Sequence, residues 1–414
     1  MKQKLGIIAS VLLVMFGGIP NSMGQWIKTN GPSSGGILSL AVNGKYLFAG
    51  TFFGAGISRT SDSGTTWTVA NNGLSGSIGS TVVHSIFVSG AKMFAGTGDG
   101  MYSSTNNGSN WKLVSTGLPS STQVTSFALS GSNLFAGTSV GVLLSTNNGI
   151  SWNAVNIGLT NVSVECLAVI GSNLFAGTDG GVFLSTDNGI NWTAVKNGLT
   201  DTTTRALVVI GNTLFVGTYA WPDTGSVFRS TDNGANWTKV SNGLQPAEIK
   251  CLAVSGTNLF AGIDSGVYLT TNNGVTWKSV STGLTGLAGG YAIAALAIGS
   301  NYLFAGTDTV WRRPLSEFGG SSVSQIARLA TTVTSFPNPF SKVSRITFSL
   351  TVHSFSQVTI LNLLGSEVAR LFTGELDAGE HSFIWDAHGL SPGLYNCIIE
   401  IGKEVRRIPM LLIK

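Results

Sequence analysis

Four ionisable side chains, His84, Glu165, Arg205 and Lys250, stand at one position of a repeated strand, immediately before a residue that is small in every copy. The other copies hold Leu38, Thr125 and Ala294 there, so the ionisable groups are no part of the repeat itself. Equivalent places in a closed array ring its axis, where an imidazole, a carboxylate, a guanidinium and an ammonium could converge on a polar ligand. The plainer and preferred reading is a solvated rim in which Glu165 pairs with Arg205 of the adjacent repeat, an arrangement worth little energy. A second set of residues breaks the repeat by insertion, Phe52 and Phe53 in one copy and Tyr219, Trp221 and Pro222 in another. Aromatic rings in extra loop length suit stacking on a sugar or gripping a protein, and equally suit tucking against a neighbouring unit.

The elements that carry these residues are set by a recurring pentapeptide close to Leu-Phe-Ala-Gly-Thr. Its copies begin at Leu47, Met93, Leu134, Leu174, Leu214, Leu259 and Leu303. A period of about 40 to 46 residues built from short strand patterns predicts a β-propeller. In the unit from Val164 to Leu199, four short apolar strands are separated by Gly, Asn or Ser. Four antiparallel strands make one blade, and burial between two neighbours explains why both strand faces are apolar. The small position of the first strand is Ser39, Ser85, Ser126, Cys166, Ala206, Cys251 or Ala295. This places that strand innermost, where crowding at the axis excludes bulk.

Between the third and fourth strands stands Ser/Thr-x-Asp/Asn-x-Gly-x-x-Trp, first as Thr60, Asp62, Gly64 and Trp67. Its acidic or amide position continues as Asn106, Asn147, Asp187, Asp232 and Asn272, and its indole as Trp111, Trp152, Trp192, Trp237 and Trp277. The oxygen is expected to accept backbone N–H bonds of its own turn, the glycine to supply a positive φ, and the tryptophan to cover the outer edge of the blade. Asn at half of the positions removes the anionic ligand a metal would need, so the box is read as structural. The motif resembles the Asp-box, or BNR repeat, of sialidases, sortilin-type receptors, xyloglucan-degrading propellers and photosystem assembly factors, a resemblance that implies fold far more than activity.

The seventh repeat lacks both box and closing tryptophan. Gln25 to Gly31, beginning Gln25-Trp26-Ile27-Lys28, matches the fourth strand of other units, as at Asn236-Trp237-Thr238-Lys239. A strand from the start of the mature chain would thus close a ring of seven blades over residues 25–316 and remove exposed sheet edges. Ahead of it, Met1-Lys2-Gln3-Lys4, an apolar run from Leu5 to Ile19, and Ser22-Met23-Gly24 read as a signal peptide over 1–24. No other run is long and apolar enough to be a membrane helix, and without Lys2 and Lys4 the formal charge of +4 falls to about +2, which gives no reason to expect nucleic acid. Cys166, Cys251 and Cys397 form no disulfide framework and are read as small buried residues.

Residues 317–335 read as a linker, and 336–414 as a small Ig-like β-sandwich built from strands at Arg345–Leu350, Gln357–Leu361, His381–Trp385, Gly393–Glu400 and Val405–Leu412. This module resembles the type A C-terminal sorting domain of the type IX secretion system of Bacteroidetes. The matching residues are Asn338-Pro339-Phe340, Leu363-Leu364-Gly365, Gly379-Glu380-His381, Trp385-Asp386, Ser391-Pro392-Gly393-Leu394-Tyr395 and Arg406-Arg407. Asn362 departs from the Asp more usual before the turn. The resemblance implies passage across both membranes to the cell surface or medium, with the secretion machinery as partner.

Chemistry is harder to find. Arg59 and Arg229 precede their boxes on the outer part of blades, which spoils a sialidase triad, and paired-aspartate xyloglucan hydrolases use two propellers where this chain has one. Asp99, Asp179, Asp264 and Asp308 recur at one turn and are read as turn formers. With no P-loop, zinc-ligand spacing or nucleophile elbow, neither catalytic residue, metal nor cofactor is assigned. The expectation is an all-β, seven-bladed β-propeller of four-stranded blades followed by the sandwich, acting as a monomeric, non-catalytic binding or adhesion module for a glycan or protein. The alternative is a secreted glycoside hydrolase or lyase with a divergent site at the channel mouth; an assembly factor is a third reading, opposed by the sorting module.

Overall fold

The structure is a computed structural model. It describes residues 24–318 and 330–413 except 33–34, 53, 75–81, 99, 120–121, 223, 286–291, 300, 351–353, 363–365, 378 and 402–403. All of the signal peptide read over residues 1–24 except Gly24, together with Phe53, Asp99 and the Leu363-Leu364-Gly365 match, therefore lies outside the described residues. Among the described residues the chain is β-structure apart from one 3₁₀ turn, Leu315–Phe318, and it divides into two compact units between Glu317 and Phe318.

The first unit holds seven four-stranded antiparallel sheets, here numbered in chain order. The fourth is typical, with strands Val164–Ile170, Asn173–Thr178, Gly181–Ser185 and Thr193–Ala194. Gly171, at φ 59°, turns the chain between the first two, a conformation that glycine adopts without a Cβ clash. Each first strand contacts the first strands of the sheets before and after it, and that of the seventh, Ala295–Gly299, contacts Ile37–Asn43 of the first. The seventh sheet is assembled from both ends of the unit: Ile27–Lys28 pairs antiparallel with Val310–Pro314, Ile27 opposite Arg312 and Lys28 opposite Trp311. This closes the order of sheets into a ring.

The recurring phenylalanines form the cores between sheets, with Phe48, Phe94, Phe135, Phe175, Phe215 and Phe260 fully buried. The recurring glycine answers to close approach. A Cβ built on Gly50 would stand 2.4 Å from Ser39 Oγ, its register partner, and 2.6 Å from Val83 Cγ1 of the next sheet. Gly96 meets Val124, Gly137 meets Val164, and Gly306 meets Ile37 across the closure in the same way. The small first-strand residue is explained by the same junction rather than by crowding at the axis. Ser39 and Ser85 donate to the carbonyls of Val83 and Val124 at 3.1 Å, so a larger side chain would displace the neighbouring strand.

Each box is a turn closed by its own side chains. Thr60 Oγ1 accepts the Gly64 N–H at 3.0 Å and donates to Asp62 Oδ1 at 2.7 Å, while Asp62 accepts the Thr66 N–H at 2.9 Å. Asn106 and Asn147 accept the matching N–H bonds of Asn110 and Ser151 at 2.9 and 3.0 Å, and Asn272 that of Thr276 at 3.0 Å. The turn therefore needs an oxygen and no charge. Left-handed backbone falls on the residue before the glycine, Ser63, Asn107, Asn148, Asn188, Asn233 or Asn273, as well as on the glycine itself. Carbonyls of these left-handed residues receive cations from the preceding sheet: Lys92 Nζ reaches Asn148 O at 2.6 Å and Arg312 Nη1 reaches Ser63 O at 2.7 Å. Arg59 binds Asn107 O likewise, which gives that arginine a structural place.

The tryptophans do more than cover an outer edge. Their indoles donate to carbonyls of the preceding sheet, Trp111 to Ala70 at 2.8 Å, Trp237 to Val195 at 2.8 Å and Trp277 to Val240 at 2.7 Å. Trp26, 1% exposed, does the same with Val280 at 2.7 Å and so occupies the missing place in the seventh sheet. Trp67 Nε1 is buried without an acceptor at the junction with that sheet.

Where the box is acidic it should confer acid sensitivity. Hydrogen bonds from the Asn236 side chain and backbone and from Ser230 hold Asp232 down to about 2, those of Thr66 push Asp62 lower still, and those of Asn191 lower Asp187. A depressed carboxyl stabilises the fold above the unfolded value of 3.8 and loses that contribution as pH falls towards the folded value. Replacing Asp62, Asp187 and Asp232 together by Asn should leave melting at pH 7 little changed and flatten its decline between pH 3.8 and about 2. An unaltered acid branch would place the titrating groups elsewhere.

In the second unit, a sheet of Ala330–Phe336, Val343–Leu350 and Gly379–Asp386 shares one core with a sheet of Glu367–Leu376, Ser354–Leu361, Gly393–Ile401 and Glu404–Leu412. Phe340, Trp385, Val358, Cys397 and Met410 lie in that core. Two strands were not legible in the sequence. Ala330–Phe336 falls inside the stretch expected to be linker, where its Ser and Thr residues mask the apolar pattern, and it pairs with Val343–Leu350. Glu367–Leu376 is an edge strand without clean alternation. Asn362 Oδ1 accepts the Ser366 N–H at 3.0 Å, so the amide serves the turn where an Asp is usual.

Candidate functional site

The variable position before the small residue is a β-bulge. Register shifts between Val164 and Cys166 and between Thr204 and Ala206 take Glu165 and Arg205 out of the ladder, and Leu38, His84 and Thr125 are displaced alike. A bulged residue contributes no ladder pair and its side chain is re-aimed, which lets chemistry vary without disturbing the repeat. Lys250 and Ala294 immediately precede the strands Cys251–Ser255 and Ala295–Gly299.

Three of the four expected ionisable groups lie in one cluster, and two of them, Arg205 and Lys250, are joined by a residue that the sequence did not reveal. Glu248 Oε1 accepts from Arg205 Nε at 2.9 Å and its Oε2 from Lys250 Nζ at 2.5 Å. Arg205 also meets Glu165 at 3.7 Å and Asp179 at 3.6 Å, and Lys250 meets Asp264 at 3.6 Å. Glu248 was hidden because it lies in the irregular approach to the sixth sheet, two residues before the position that the repeat aligns. Asp179 and Asp264, expected to be turn formers, have side chains that reach these cations, since their turns crown the same end of the sheets. The cluster spans sheets four to six and sets four carboxylates against two cations.

Burial raises the Glu165 carboxyl, opposed by Arg205 and assisted by Asp179 and Glu248. Burial by itself would lower Lys250, yet its hydrogen bond and charge contact with Glu248 and its contact with Asp264 raise it. His84 stands apart between sheets two and three, its Nδ1 3.2 Å from Gln123 Nε2, and burial lowers its pKa. Of the inserted aromatics, Tyr219 lies under the Arg205 guanidinium at 5.7 Å from the ring centre, a cation–π contact. Trp221 is 83% exposed at the tip of the same insertion, whereas Phe52, 42% exposed, follows the strand Tyr46–Thr51 of the first sheet. Tyr219 thus tucks inward and Trp221 projects.

Further along the first strands of sheets four to seven, Leu167, Leu207, Leu252, Leu296 and Ile298 line a shallow, open pocket of about 450 Å³ in which backbone rather than side chains supplies the polar surface. Among the described residues no group of three or more His, Cys, Asp or Glu is placed to hold a metal ion. The three cysteines are free, and burial pushes the Cys251 and Cys397 thiols up to about 12, leaving them unreactive. Both cations of the cluster are held by carboxylates, and Trp221 is exposed in the insertion that also carries Tyr219.

The chain matches the model of the DUF6242 beta propeller domain over residues 84–207 and again over 196–338, together more than half its length. Residues 334–413 match the secretion system C-terminal sorting domain. No curated protein matches. Among solved structures, the chain is similar to an extracellular domain from B. thetaiotaomicron assigned to a hybrid two component system, at 14% identity and a TM-score of 0.56, covering 79% of this chain and 45% of that one. An ancestral GH74 enzyme is similar at 15% identity and a TM-score of 0.56, covering 93% and 63%. The WD40 beta propeller domain of Doa1 is similar at 13% identity and a TM-score of 0.55, covering 70% and 96%. The chain thus spans less than two thirds of the first two, and likenesses at these identities show the fold alone. The sorting domain implies recognition by the type IX secretion machinery and a secreted or cell-surface protein, and no described helix is long and apolar enough to cross a membrane.

Proposed function

Because the chain belongs to the DUF6242 beta propeller domain family and ends in a secretion system C-terminal sorting domain, we propose that it is an exported, non-catalytic binding or adhesion module. In this reading residues 1–24 are the signal peptide, 25–316 a seven-bladed propeller of the Asp-box type, and the C-terminal unit an Ig-like sandwich that directs type IX export. The propeller acts as a monomer on a glycan or protein at its channel-mouth face. Seven four-stranded sheets, six boxes with the same hydrogen bonds and the docking of Trp26 support the architecture.

The observation that carries the functional reading is the state of the mouth. Arg205 is engaged by Glu165, Asp179 and Glu248, so neither the guanidinium nor the carboxylates stand as a separated acid and base. Trp221, by contrast, is offered to solvent on the same face. The glycosidase alternative draws support from the raised Glu165 carboxyl and from the GH74 likeness, but hydrolysis needs two carboxyl groups with room between them for the sugar, and here both converge on one arginine.

A glycan array with the purified chain tests the proposal. Trp221→Ala should abolish or weaken binding by at least about tenfold, the loss expected when an exposed stacking ring is removed. Unchanged binding would remove Trp221 from the site, and turnover of any bound glycan would favour the hydrolase.

A further inference from the structure

We infer that the cleft between the outer parts of sheets two and three is a binding site for an acidic sugar, to which Lys92 and Lys112 offer positive charge and Ser103 and Asn106 offer hydrogen bonds. This goes beyond the channel-mouth reading, which concerns Trp221 of sheet five, and either can fail without the other.

A departure from the repeat opens the cleft. The third-strand residue opposite the recurring phenylalanine is Arg59, Leu144, Leu184, Arg229, Leu269 or Arg312 in six sheets, but in the second it is Ser103, opposite Phe94. Arg59, Arg229 and Arg312 reach across to carbonyls of the next sheet, Asn107, Asn273 and Ser63, while the leucines fill their places with apolar bulk. In sheet two the bridging cation comes instead from the second strand, where Lys92 meets Asn148 O. The serine beside it fills little of the space, and a half-open pocket of about 490 Å³ remains. That volume lies within the range of small-molecule sites.

The side chains lining this pocket are donors without acceptors. Ser103 is 8% exposed, yet its hydroxyl makes no hydrogen bond among the described residues. The Asn106 amide nitrogen is likewise unpaired among them, whereas the outer side-chain atom of each other box is bonded to the residue four further on, as Asn147 Nδ2 is to Ser151 Oγ at 2.8 Å. Neither Lys92 nor Lys112 meets a carboxylate among the described residues, and burial lowers the Lys92 pKa because no anion offsets the lost water. No Asp or Glu lines the pocket, so a cation gains nothing there while an anion meets two ammonium groups. Leu113 and Ile150 flank it as exposed apolar side chains, a surface that suits the C–H face of a sugar ring and gives a bare inorganic anion no partner.

Isothermal titration of the full chain with digalacturonate at low salt tests the site. Saturable binding of one equivalent is expected, with the neutral galactobiose weaker by at least about tenfold, the loss expected when a charge-assisted hydrogen bond is missing. Ser103→Leu, which installs the residue of sheets three, four and six, should leave the melting temperature unchanged and weaken digalacturonate by about tenfold or more. Lys112→Gln, at an exposed position, should weaken digalacturonate and leave galactobiose as it was, and Trp221→Ala should change neither. Absence of one-equivalent binding, galactobiose bound as tightly as digalacturonate, sodium sulfate competing as well as digalacturonate, or a folded Ser103→Leu chain that binds as before would overturn the inference.

Discussion

Trp26→Ala should cost the first unit about 3–5 kcal/mol in unfolding free energy, the range for deleting a large buried aromatic. Trp26 is 1% exposed and hydrogen-bonded to the Val280 carbonyl, and it sits at the head of the two-residue strand that completes the seventh sheet. The loss has a topological consequence that no box tryptophan shares. Removing Trp152 would loosen one junction inside a continuous run of chain, whereas removing Trp26 frees the strand that ties the two ends of the ring. Chemical denaturation should therefore show a lowered midpoint, and hydrogen exchange should show the greatest loss of protection in Val310–Pro314, the partner strand. The indole hydrogen bond can be separated from the packing. Trp26→Phe keeps most of the buried surface and should cost about 1 kcal/mol for the lost bond, but Trp67→Phe, whose Nε1 has no acceptor, should cost less. Equal effects of the two Phe variants would mean that the closing indole contributes only by volume.

How far the sequence reached is clearest at this junction. Trp26 could be assigned because Gln25 to Gly31 repeats the residues of a fourth strand, and the phenylalanine period located the sheets from local patterns alone. What the sequence withheld depends on register. The bulge at Glu165 and Arg205 is invisible as composition, because one unpaired residue in a strand leaves the apolar pattern almost intact. Glu248 was missed since it belongs to an irregular approach that no alignment of repeats could place. Asp179 and Asp264 read as turn formers, and a turn residue can also reach a cation with its side chain, Arg205 of the next sheet for Asp179 and Lys250 of its own sheet for Asp264. The smallness of Ser39 and its equivalents suggests crowding at the axis when only the sequence is considered, whereas its cause is a glycine opposite and a neighbouring sheet in contact.

That last junction yields the second large effect. Gly217→Ala should destabilise the first unit by about 3 kcal/mol, at the upper end of what overpacking costs. An added Cβ would stand 2.5 Å from Ile249 Cγ2, 2.9 Å from its Cβ and 3.3 Å from its carbonyl oxygen. Two of these atoms move only with the backbone, so rotamer change cannot relieve the clash, and the sixth sheet must shift. Gly211 of the same sheet is the control. It has φ 59° with nothing within 4 Å of a Cβ, and Gly211→Ala should cost only the strain of a left-handed alanine, about 1–2 kcal/mol. A double-mutant cycle separates contact from backbone preference. Ile249→Ala alone opens a cavity, since Ile249 is fully buried, and should cost about 2–5 kcal/mol. Combined with Gly217→Ala it should cost less than the sum, because the new methyl then enters space that Cγ2 vacated. Strict additivity would show that the recurring glycine is kept for its backbone rather than for the approach of the next sheet, and the same test at Gly96 with Val124 would decide whether one rule governs the ring.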